Sequence, residues 1–136
     1  MRKVVVGFVV AVAALSAGVA LCPSGRAVAA EPEKLIAHNV YFSLKDSSAE
    51  NKKKLVESCK TYLAKLPGIV FFAAGTSSDE FNRPINDKEF DVGLHVVFKD
   101  KESYDKYEVS DPHKKFVAEN KDNWQKVRVF DSRVEQ

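Results

Sequence analysis

The chain has 136 residues and a formal net charge of +2, from 21 Lys+Arg and 19 Asp+Glu. Three of these cations and none of the acids lie in the first 29 residues, so the rest holds 18 cations against 19 acids, a balance of −1. Its one cationic run, residues 52–54, is no clustered basic face, which argues against nucleic-acid binding. The remaining length, about 107 residues, is that of one domain.

The first 29 residues have the pattern of a secretory signal peptide. Arg2 and Lys3 precede an uncharged, largely apolar run over residues 4–21. The AVA sequence at residues 27–29 fits the small-x-small cleavage rule. We therefore expect cleavage after Ala29 and a mature protein that is periplasmic or secreted.

Two alternatives to a cleaved leader remain. Uncleaved, the apolar run would just reach the roughly 20 residues that span a bilayer. The VALC sequence ending at Cys22 resembles a lipoprotein cleavage box, although Leu21 fits poorly before the cysteine. After cleavage we expect a short polar lead-in over residues 30–34, a folded domain over residues 35–134, and no contact with a membrane.

The first half of the domain predicts a strand followed by a helix. Residues 35–44 alternate with period two, and one face is strongly apolar. That face carries Ile36, His38, Val40, Phe42 and Leu44. Ser47 or Ser48 can cap a helix with an apolar stripe. The stripe consists of Leu55, Val56, Cys59, Tyr62, Leu63 and Leu66, and the Pro67-Gly68 pair ends the helix.

The second half predicts two strands, a broken helix and a last strand. Residues 69–76 form a strand, residues 77–88 a long polar loop, and residues 90–98 a second alternating strand. The apolar face of that strand carries Phe90, Val92, Leu94, Val96 and Phe98, which together with Trp124 are predicted to be core first. Asp100 begins a helix reaching about residue 109, and Asp111-Pro112 begins another reaching about residue 120. Residues 127–134 form the fourth strand.

This order predicts an α+β fold of the ferredoxin-like split βαβ type. In that β-α-β-β-α-β arrangement a four-stranded antiparallel sheet carries its helices on one face. The other face mixes aromatic, aliphatic and polar groups, which suits pairing with a second sheet. We expect a homodimer in which two sheets curl into an α/β barrel. The contact face would carry Asn39, Tyr41, Gly93, His95, Val97, Arg128 and Phe130.

Cys59 is predicted to be a buried free thiol. Cys22 leaves with the leader, so the mature chain has no internal disulfide. On the apolar stripe of a helix, a thiol behaves as a small hydrophobic group. An intermolecular disulfide or a reactive thiol remains the alternative.

A candidate site lies in the aromatic segment between residues 107 and 131. An imidazole can exchange protons near neutral pH and a phenol can donate to a developing oxyanion, so Tyr107 and His113 form a possible acid–base pair. The structural alternative places His113 at a helix start and Tyr107 in the core. His38 is either a hydrogen-bonded core residue or an assisting group, and Asp131 a backbone or cap partner. An enclosed cavity touching His38, Tyr107, His113 and Trp124 together would favour a ligand site or an enzyme, whereas a filled core there would favour a structural role.

No metal or cofactor is expected at this site. His38 and His113 would need a third ligand, and no close spacing supplies one. The sequence contains no HExxH, CxxC or phosphate-binding glycine motif. His95 is predicted to lie at the dimer contact.

The chain resembles the stress-responsive dimeric A/B-barrel (Dabb) family. The resemblance rests on HNVYFSLK at residues 38–45, LPG at residues 66–68 and the strand that ends at Phe98. It continues through the tyrosine-to-histidine segment at residues 107–113 and the closing strand at residues 127–131, covering essentially residues 35–134. It implies a dimeric ferredoxin-like barrel.

Family members range from stress proteins of unclear role to plant polyketide cyclases. In the cyclases a tyrosine and a histidine act in a pocket, which the resemblance carries onto Tyr107 and His113, with His38 as a further pocket histidine. The implied lining is Val40, Phe42, Val56, Cys59, Phe116 and Trp124. The chain departs from the cyclases' His-Pro-x-His run, since it reads SDPH at residues 110–113.

Three functions follow as expectations. The first is an exported homodimeric domain of unassigned role that binds a small apolar or aromatic molecule between helices and sheet. The second is a cofactor-independent cyclase or lyase using Tyr107 and His113. The third is a haem-binding or oxygenase-type relative, for which only Trp124, His113 and Asn39 offer support.

Overall fold

A computed structural model describes residues 34–135, which form four strands and three α-helices. In chain order these are β1 (Ile36–Leu44), α1 (Ala49–Tyr62), β2 (Ile69–Thr76), β3 (Val92–Phe98), α2 (Lys101–Val109), α3 (Asp111–Asn120) and β4 (Trp124–Arg133), with a 3-10 turn at Lys121–Asn123. The predicted signal peptide and its cleavage site lie outside the described residues. Between residues 34 and 135, no helix has the length and apolarity needed to cross a membrane.

The four strands form one antiparallel sheet in the order β2-β3-β1-β4. In the register of the central strand, His38 on β1 stands opposite Val96 on β3 and Asp131 on β4. This is the predicted ferredoxin-like arrangement, and the prediction is confirmed. The sheet face under the helices is called the inner face below, and the opposite one the outer face.

The core lies between the inner face and the helices. β1 alternates buried and half-buried side chains along all nine residues, as its sequence predicts. Burying a large aliphatic or aromatic side chain contributes about 1.5–3 kcal/mol, so this face supplies much of the driving force for folding. The buried residues of the whole core, from sheet and helices together, are Ile36, Val40, Phe42, Leu44, Leu55, Val56, Cys59, Leu63, Val92, Leu94, Val96, Phe98, Tyr107 and Phe116.

The helices begin at the predicted caps. The Ser48 hydroxyl accepts from the backbone N–H of Asn51, and the Asp100 carboxylate accepts from that of Ser103 at 2.6 Å. After α1, Gly68 adopts a φ of +86°, a left-handed conformation that favours glycine. A Cβ at Gly68 would also collide with the side chain of Ser103. Glycine therefore lets the α1–β2 turn approach α2 closely.

The third strand begins at Val92, later than predicted. At Asp91 the chain turns, and its carboxylate accepts from the backbone N–H of Leu44 at 2.7 Å. The alternation is broken there, so Phe90 lies on the outer face with its ring centroid 5.0 Å from that of Tyr41. The prediction that Phe90 shares the buried face of Val92 is wrong.

The fourth strand begins at Trp124, three residues earlier than predicted. Trp124 pairs with Leu44 across a register shift, and the backbone N–H of Lys45 donates to the carbonyl of Asn123 at 2.8 Å. This additional pairing with β1 places the indole beside the ring of Phe42, at 5.1 Å between centroids.

Candidate functional site

A cavity of about 180 Å³ lies between the β1–β4 side of the inner face and helices α2 and α3. It touches His38, Tyr107, His113 and Trp124 together, and it opens to solvent beside the exposed Val127 and Val129 rather than being enclosed. Its walls are mostly aromatic and aliphatic. They consist of His38, Val40, Phe42, Leu94, Tyr104, Tyr107, Glu108, His113, Phe116, Val117, Trp124, Val127 and Val129.

Ser110 sets the relative position of Tyr107 and His113. Its hydroxyl donates to the carbonyl of Tyr107 at 2.8 Å and accepts from the backbone N–H of His113 at 3.3 Å. One side chain therefore ends α2 and caps α3, and Pro112 suits the first turn of the new helix. The break brings the rings of Tyr107 and His113 to 4.8 Å between centroids.

The buried His38 belongs to a hydrogen-bonded chain of three side chains that reaches the surface at Asp131. Its Nδ1 lies 2.7 Å from Oδ1 of Asp131, whose Oδ2 accepts from the Tyr104 hydroxyl at 3.0 Å. A carboxylate oxygen accepts, so Nδ1 of His38 carries a proton in this contact. The chain fixes the histidine tautomer and joins β1, β4 and α2.

The cavity walls favour neutral side chains. Burial raises the pKa of Tyr107, with a smaller effect from nearby Glu108. Burial also raises the pKa of Tyr104, and the Asp131 carboxylate that accepts from its hydroxyl adds to this. For His113, burial lowers the pKa and outweighs Glu108, which acts to raise it. Near neutral pH the pair thus offers a phenol that donates and an imidazole that accepts a proton.

Seven of the predicted site residues line this one cavity. They are His38, Val40, Phe42, Tyr107, His113, Phe116 and Trp124. The roles assigned to them stay predictions, since the geometry gives proximity rather than activity. His38 is a hydrogen-bonded core residue, 4% exposed, and it also forms part of the cavity wall, while its assisting role stays a prediction.

Val56 and Cys59 do not line the cavity, contrary to the prediction. Both are buried on the side of α1 that faces the core. The stripe of α1 that includes them is apolar, as predicted, but it packs against a filled part of the core. Burial raises the pKa of the Cys59 thiol to about 12, so the thiolate is disfavoured.

Tyr104 was not predicted from the sequence to be a site residue, and Asp131 was predicted to pair with backbone or to cap a helix. Tyr104 lies one helical turn before Tyr107 on α2, so the three-residue spacing was an available signal. Asp131 accepts hydrogen bonds from side chains rather than capping backbone. Only the β1–β4 register, which places Asp131 opposite His38, reveals that pairing.

The residues predicted for the dimer contact point to the outer face. Nδ1 of His95 lies 2.8 Å from Oδ1 of Asn39, and the ring of Tyr41 packs edge-on against those of His95 and Phe130, at 5.7 and 5.9 Å. Phe130 is 54% exposed. The face is therefore an ordered aromatic and polar surface, part of which is open to solvent.

The loop between β2 and β3 folds over one side of the outer face. Arg128 on β4 pairs with the Asp87 carboxylate and donates to the backbone carbonyl of Glu89 at 3.0 Å. Between the loop, β1 and β4 lies a second cavity of about 570 Å³. The predicted polar loop is thus largely exposed, and Arg128 anchors it to the sheet.

Within the described part of the chain, no group of three or more His, Cys, Asp or Glu side chains could hold a metal ion.

Comparison with known proteins gives a family and a fold. The family model described as the stress responsive A/B barrel domain matches residues 36–134. A Dabb family protein with a ferredoxin-like fold from Mesorhizobium loti superposes with a TM-score of 0.63 at 23% identity, covering 76% of this chain and 100% of its own. No protein of curated function matches the chain significantly.

Two further solved structures share the fold at low identity. A dimeric ferredoxin-like protein of unknown function from Thermobifida fusca has a TM-score of 0.62 and 12% identity, covering 75% of this chain and 92% of its own. The hydroxynitrile lyase from Passiflora edulis has a TM-score of 0.62 and 17% identity, covering 77% and 96%. The fold therefore occurs both in an enzyme and in a protein without an assigned activity.

Proposed function

As this chain belongs to the stress-responsive A/B barrel (Dabb) family, we propose that it is an exported homodimeric domain that binds a small apolar or aromatic molecule. The ligand occupies the cavity between α2, α3 and the inner face. The observation that carries the proposal is the convergence of His38, Tyr107, His113 and Trp124 on one space. The walls of this space are mostly aromatic and aliphatic with a few polar groups, which is typical of small-molecule sites.

The size of the cavity selects a ligand of about one ring. An engineered apolar cavity of about 150 Å³ in another protein holds benzene, and the present volume is about 180 Å³. Typical sites for drug-sized molecules measure about 300–1,000 Å³. Haem or a long polyketide would require the helices to move apart, so the geometry disfavours the haem-binding alternative.

The chemistry of the walls selects a neutral ligand with one polar group. Rings and aliphatic side chains cover most of the surface, while Tyr107 can donate and His113 can accept a hydrogen bond. Burial keeps both in their neutral forms near pH 7. A phenol or an aromatic aldehyde meets these requirements, whereas an anion would lose its hydration and meet the Glu108 carboxylate instead of a counter-ion.

Trp124 reports on binding, because it is the chain's one tryptophan and lies in the cavity wall. Phenol should change its fluorescence saturably. In Val129→Phe the added ring fills the cavity, and the half-exposed position tolerates it, so binding should weaken at least about tenfold. Val70→Phe, on a valine 56% exposed and away from the cavity, is the matched control. Identical titrations of all three proteins would contradict the proposal.

Export is supported by the charged, apolar and small-residue pattern of the first 29 residues. Mass spectrometry of the protein released from its native host should find a mature N-terminus at Ala30, within a residue or so. A cell-retained full-length chain would remove this part of the proposal.

The homodimer is supported by the partly apolar outer face, and a structural neighbour is described as dimeric. Light scattering at micromolar concentration should give twice the mass of the mature chain. A monomer under those conditions would contradict it.

A cofactor-independent cyclase or lyase is the second candidate, and the Tyr107–His113 pair favours it. The two pKa shifts leave a phenolic donor beside an imidazole base. Such a pair can take a proton next to a carbonyl while hydrogen-bonding the resulting enolate oxygen. If turnover of an aromatic carbonyl compound is found, Tyr107→Phe and His113→Ala should abolish it with little change in melting temperature. Parallel loss of folding and turnover would remove this candidate.

A further inference from the structure

A third cavity, of about 350 Å³, lies between the α1–β2 turn and helix α2 and is called the turn groove below. Its lining consists of Leu66, Pro67, Gly68, Lys99, Ser103, Lys106, Tyr107 and Ser110. It is open to solvent, because Pro67, Lys99 and Lys106 are exposed. Since α2 packs on the inner face, the groove lies away from the outer face proposed for the dimer contact. Its volume is within the range of about 300–1,000 Å³ that is typical of small-molecule sites.

Two segments of the chain build the walls of the turn groove. The wall on α2 is a single helical stripe, because its residues recur at three- and four-residue steps. They are Ser103, Lys106, Tyr107 and Ser110. On the other wall, the carbonyl of Gly68 accepts from the backbone N–H of Lys99 at 2.9 Å. A Cβ on Gly68 would lie 2.2 Å from Oγ of Ser103, so the two walls meet closely at that end of the stripe.

The turn groove combines apolar walls with a positively charged rim. Leu66, Pro67 and the ring of Tyr107, which is 2% exposed, supply the apolar surface. Lys99 and Lys106 supply the charge, and no carboxylate is among the lining residues. A ligand that matches both features has an apolar body and one anionic group.

Both lysines can turn from their present partners to a bound anion. Nζ of Lys99 lies 3.5 Å from Oδ2 of Asp100, and Lys106 pairs with Glu102 one helical turn earlier. The two lysine side chains are 62% and 72% exposed. Exposed ion pairs contribute little to stability, because water screens the charges and the long side chains must be ordered. Exchanging these partners for a ligand carboxylate is therefore inexpensive.

We propose that the turn groove is a second binding site, which takes an apolar monocarboxylate. The apolar body of the ligand lies against Leu66, Pro67 and the ring of Tyr107. Its carboxylate meets Lys99 and Lys106 at the rim, where it keeps part of its hydration. Burying each methylene of the ligand adds affinity, and the two ammonium groups select the anion over a neutral molecule of the same length.

This site is separate from the cavity of the proposed function, although Tyr107 lines both. The carboxylate of Glu108 lies in the wall of the inner cavity and repels an anion there. The two spaces thus favour ligands of different charge. Failure of phenol to bind the inner cavity would leave the turn groove untouched.

Calorimetric titration with octanoate tests the recognition of charge. Wild type should bind one octanoate per chain, at least about fivefold more tightly than 1-octanol. The double variant Lys99→Gln/Lys106→Gln should bind octanoate at least about fivefold more weakly. Lys60→Gln/Lys101→Gln removes two lysines from comparable surface ion pairs elsewhere, and it should bind as wild type does. Equal octanoate affinity in the three proteins, octanol binding as tight as octanoate, or no octanoate binding would overturn the proposal.

Backbone amide chemical shifts locate the bound octanoate. The largest changes should fall on the amide signals of Gly68 and Lys99, whereas that of Val129, in the wall of the inner cavity, should change little. Phenol should change the Trp124 fluorescence of Lys99→Gln/Lys106→Gln as it does that of wild type. Octanoate shifts centred on Val129, or on Tyr41 of the outer face, would overturn the placement in the turn groove.

Discussion

The inner and outer faces of the sheet carry similar groups in different settings. On the inner face His38 is 4% exposed and pairs with the carboxylate of Asp131. On the outer face His95, half-buried on β3, pairs with the amide of Asn39. Both histidines contact tyrosine rings, at 5.6–5.7 Å between centroids.

The partner of each histidine distinguishes the two settings. A carboxylate only accepts, so it fixes the tautomer of His38, as a proton-handling or ligand-orienting group requires. An amide both donates and accepts, so the Asn39–His95 pair can adapt to a neighbouring surface. Alternation along one strand thus separates the proposed ligand cavity from the proposed assembly surface.

The largest predicted contrast between the faces is in stability. Phe98 is fully buried and contacts the rings of Tyr104 and Tyr107, so Phe98→Ala should cost about 3–5 kcal/mol. Phe130→Ala, on the exposed outer face, should cost the single chain much less, about 1 kcal/mol. Urea unfolding at low protein concentration measures both. Equal losses of unfolding free energy would show that Phe130 is packed in the single chain as tightly as Phe98.

Breaking each histidine pair should have a smaller and unequal effect. Asp131→Ala leaves the buried Nδ1–H of His38 unpaired, which costs about 1–3 kcal/mol. Asp131→Asn keeps an acceptor and should cost less. Asn39→Ala leaves His95 near solvent, so its cost should be the smallest of the three in urea unfolding. A larger loss of unfolding free energy for Asn39→Ala than for Asp131→Ala would contradict the conclusion that His38, rather than His95, is the buried histidine.

The pH dependence of stability should reveal the burial of His113. Its pKa is lowered in the fold, so the unfolded chain binds the proton more readily. Stability therefore holds above the unfolded value of about 6.5 and falls as the pH drops below it. In His113→Gln, the decline in urea midpoint between about pH 7 and pH 5.5 should be shallower. A decline as steep as in wild type would contradict the burial of a neutral imidazole.

The smallest expected effect is the inertness of Cys59. Its side chain is fully buried and burial raises its pKa to about 12, so the folded protein should not react with a maleimide at about pH 8. In urea the thiol should react fully. Rapid labelling of the folded protein would show that α1 opens readily from the sheet.

The fold could be predicted because its signals are local. The alternation over β1 and the stripe of α1 each lie within a dozen residues, and Ser48 and Pro67-Gly68 mark the ends of that helix. The β3 boundary was missed because Phe90 continues the apolar alternation, while the turn at Asp91 depends on a hydrogen bond to Leu44, 47 positions away.

The candidate site was only partly predictable because its polar chain is non-local. Tyr107 and His113 lie on adjacent helices joined at Ser110, so their proximity follows from sequence spacing. The pairing of His38 with Asp131 spans 93 positions and depends on strand register. Val56 and Cys59 were placed in the pocket because an apolar helix stripe alone does not reveal whether it meets a void or a filled core.

Intermolecular nuclear Overhauser effects from bound phenol test the central claim most directly, because they locate the ligand on one face or the other. A phenol bound in the inner cavity should show contacts with the ring protons of Tyr107 and Trp124 and with the methyl groups of Val129. Contacts only with Tyr41 and Phe130 on the outer face, or none at saturating phenol, would contradict a ligand site between the helices and the sheet.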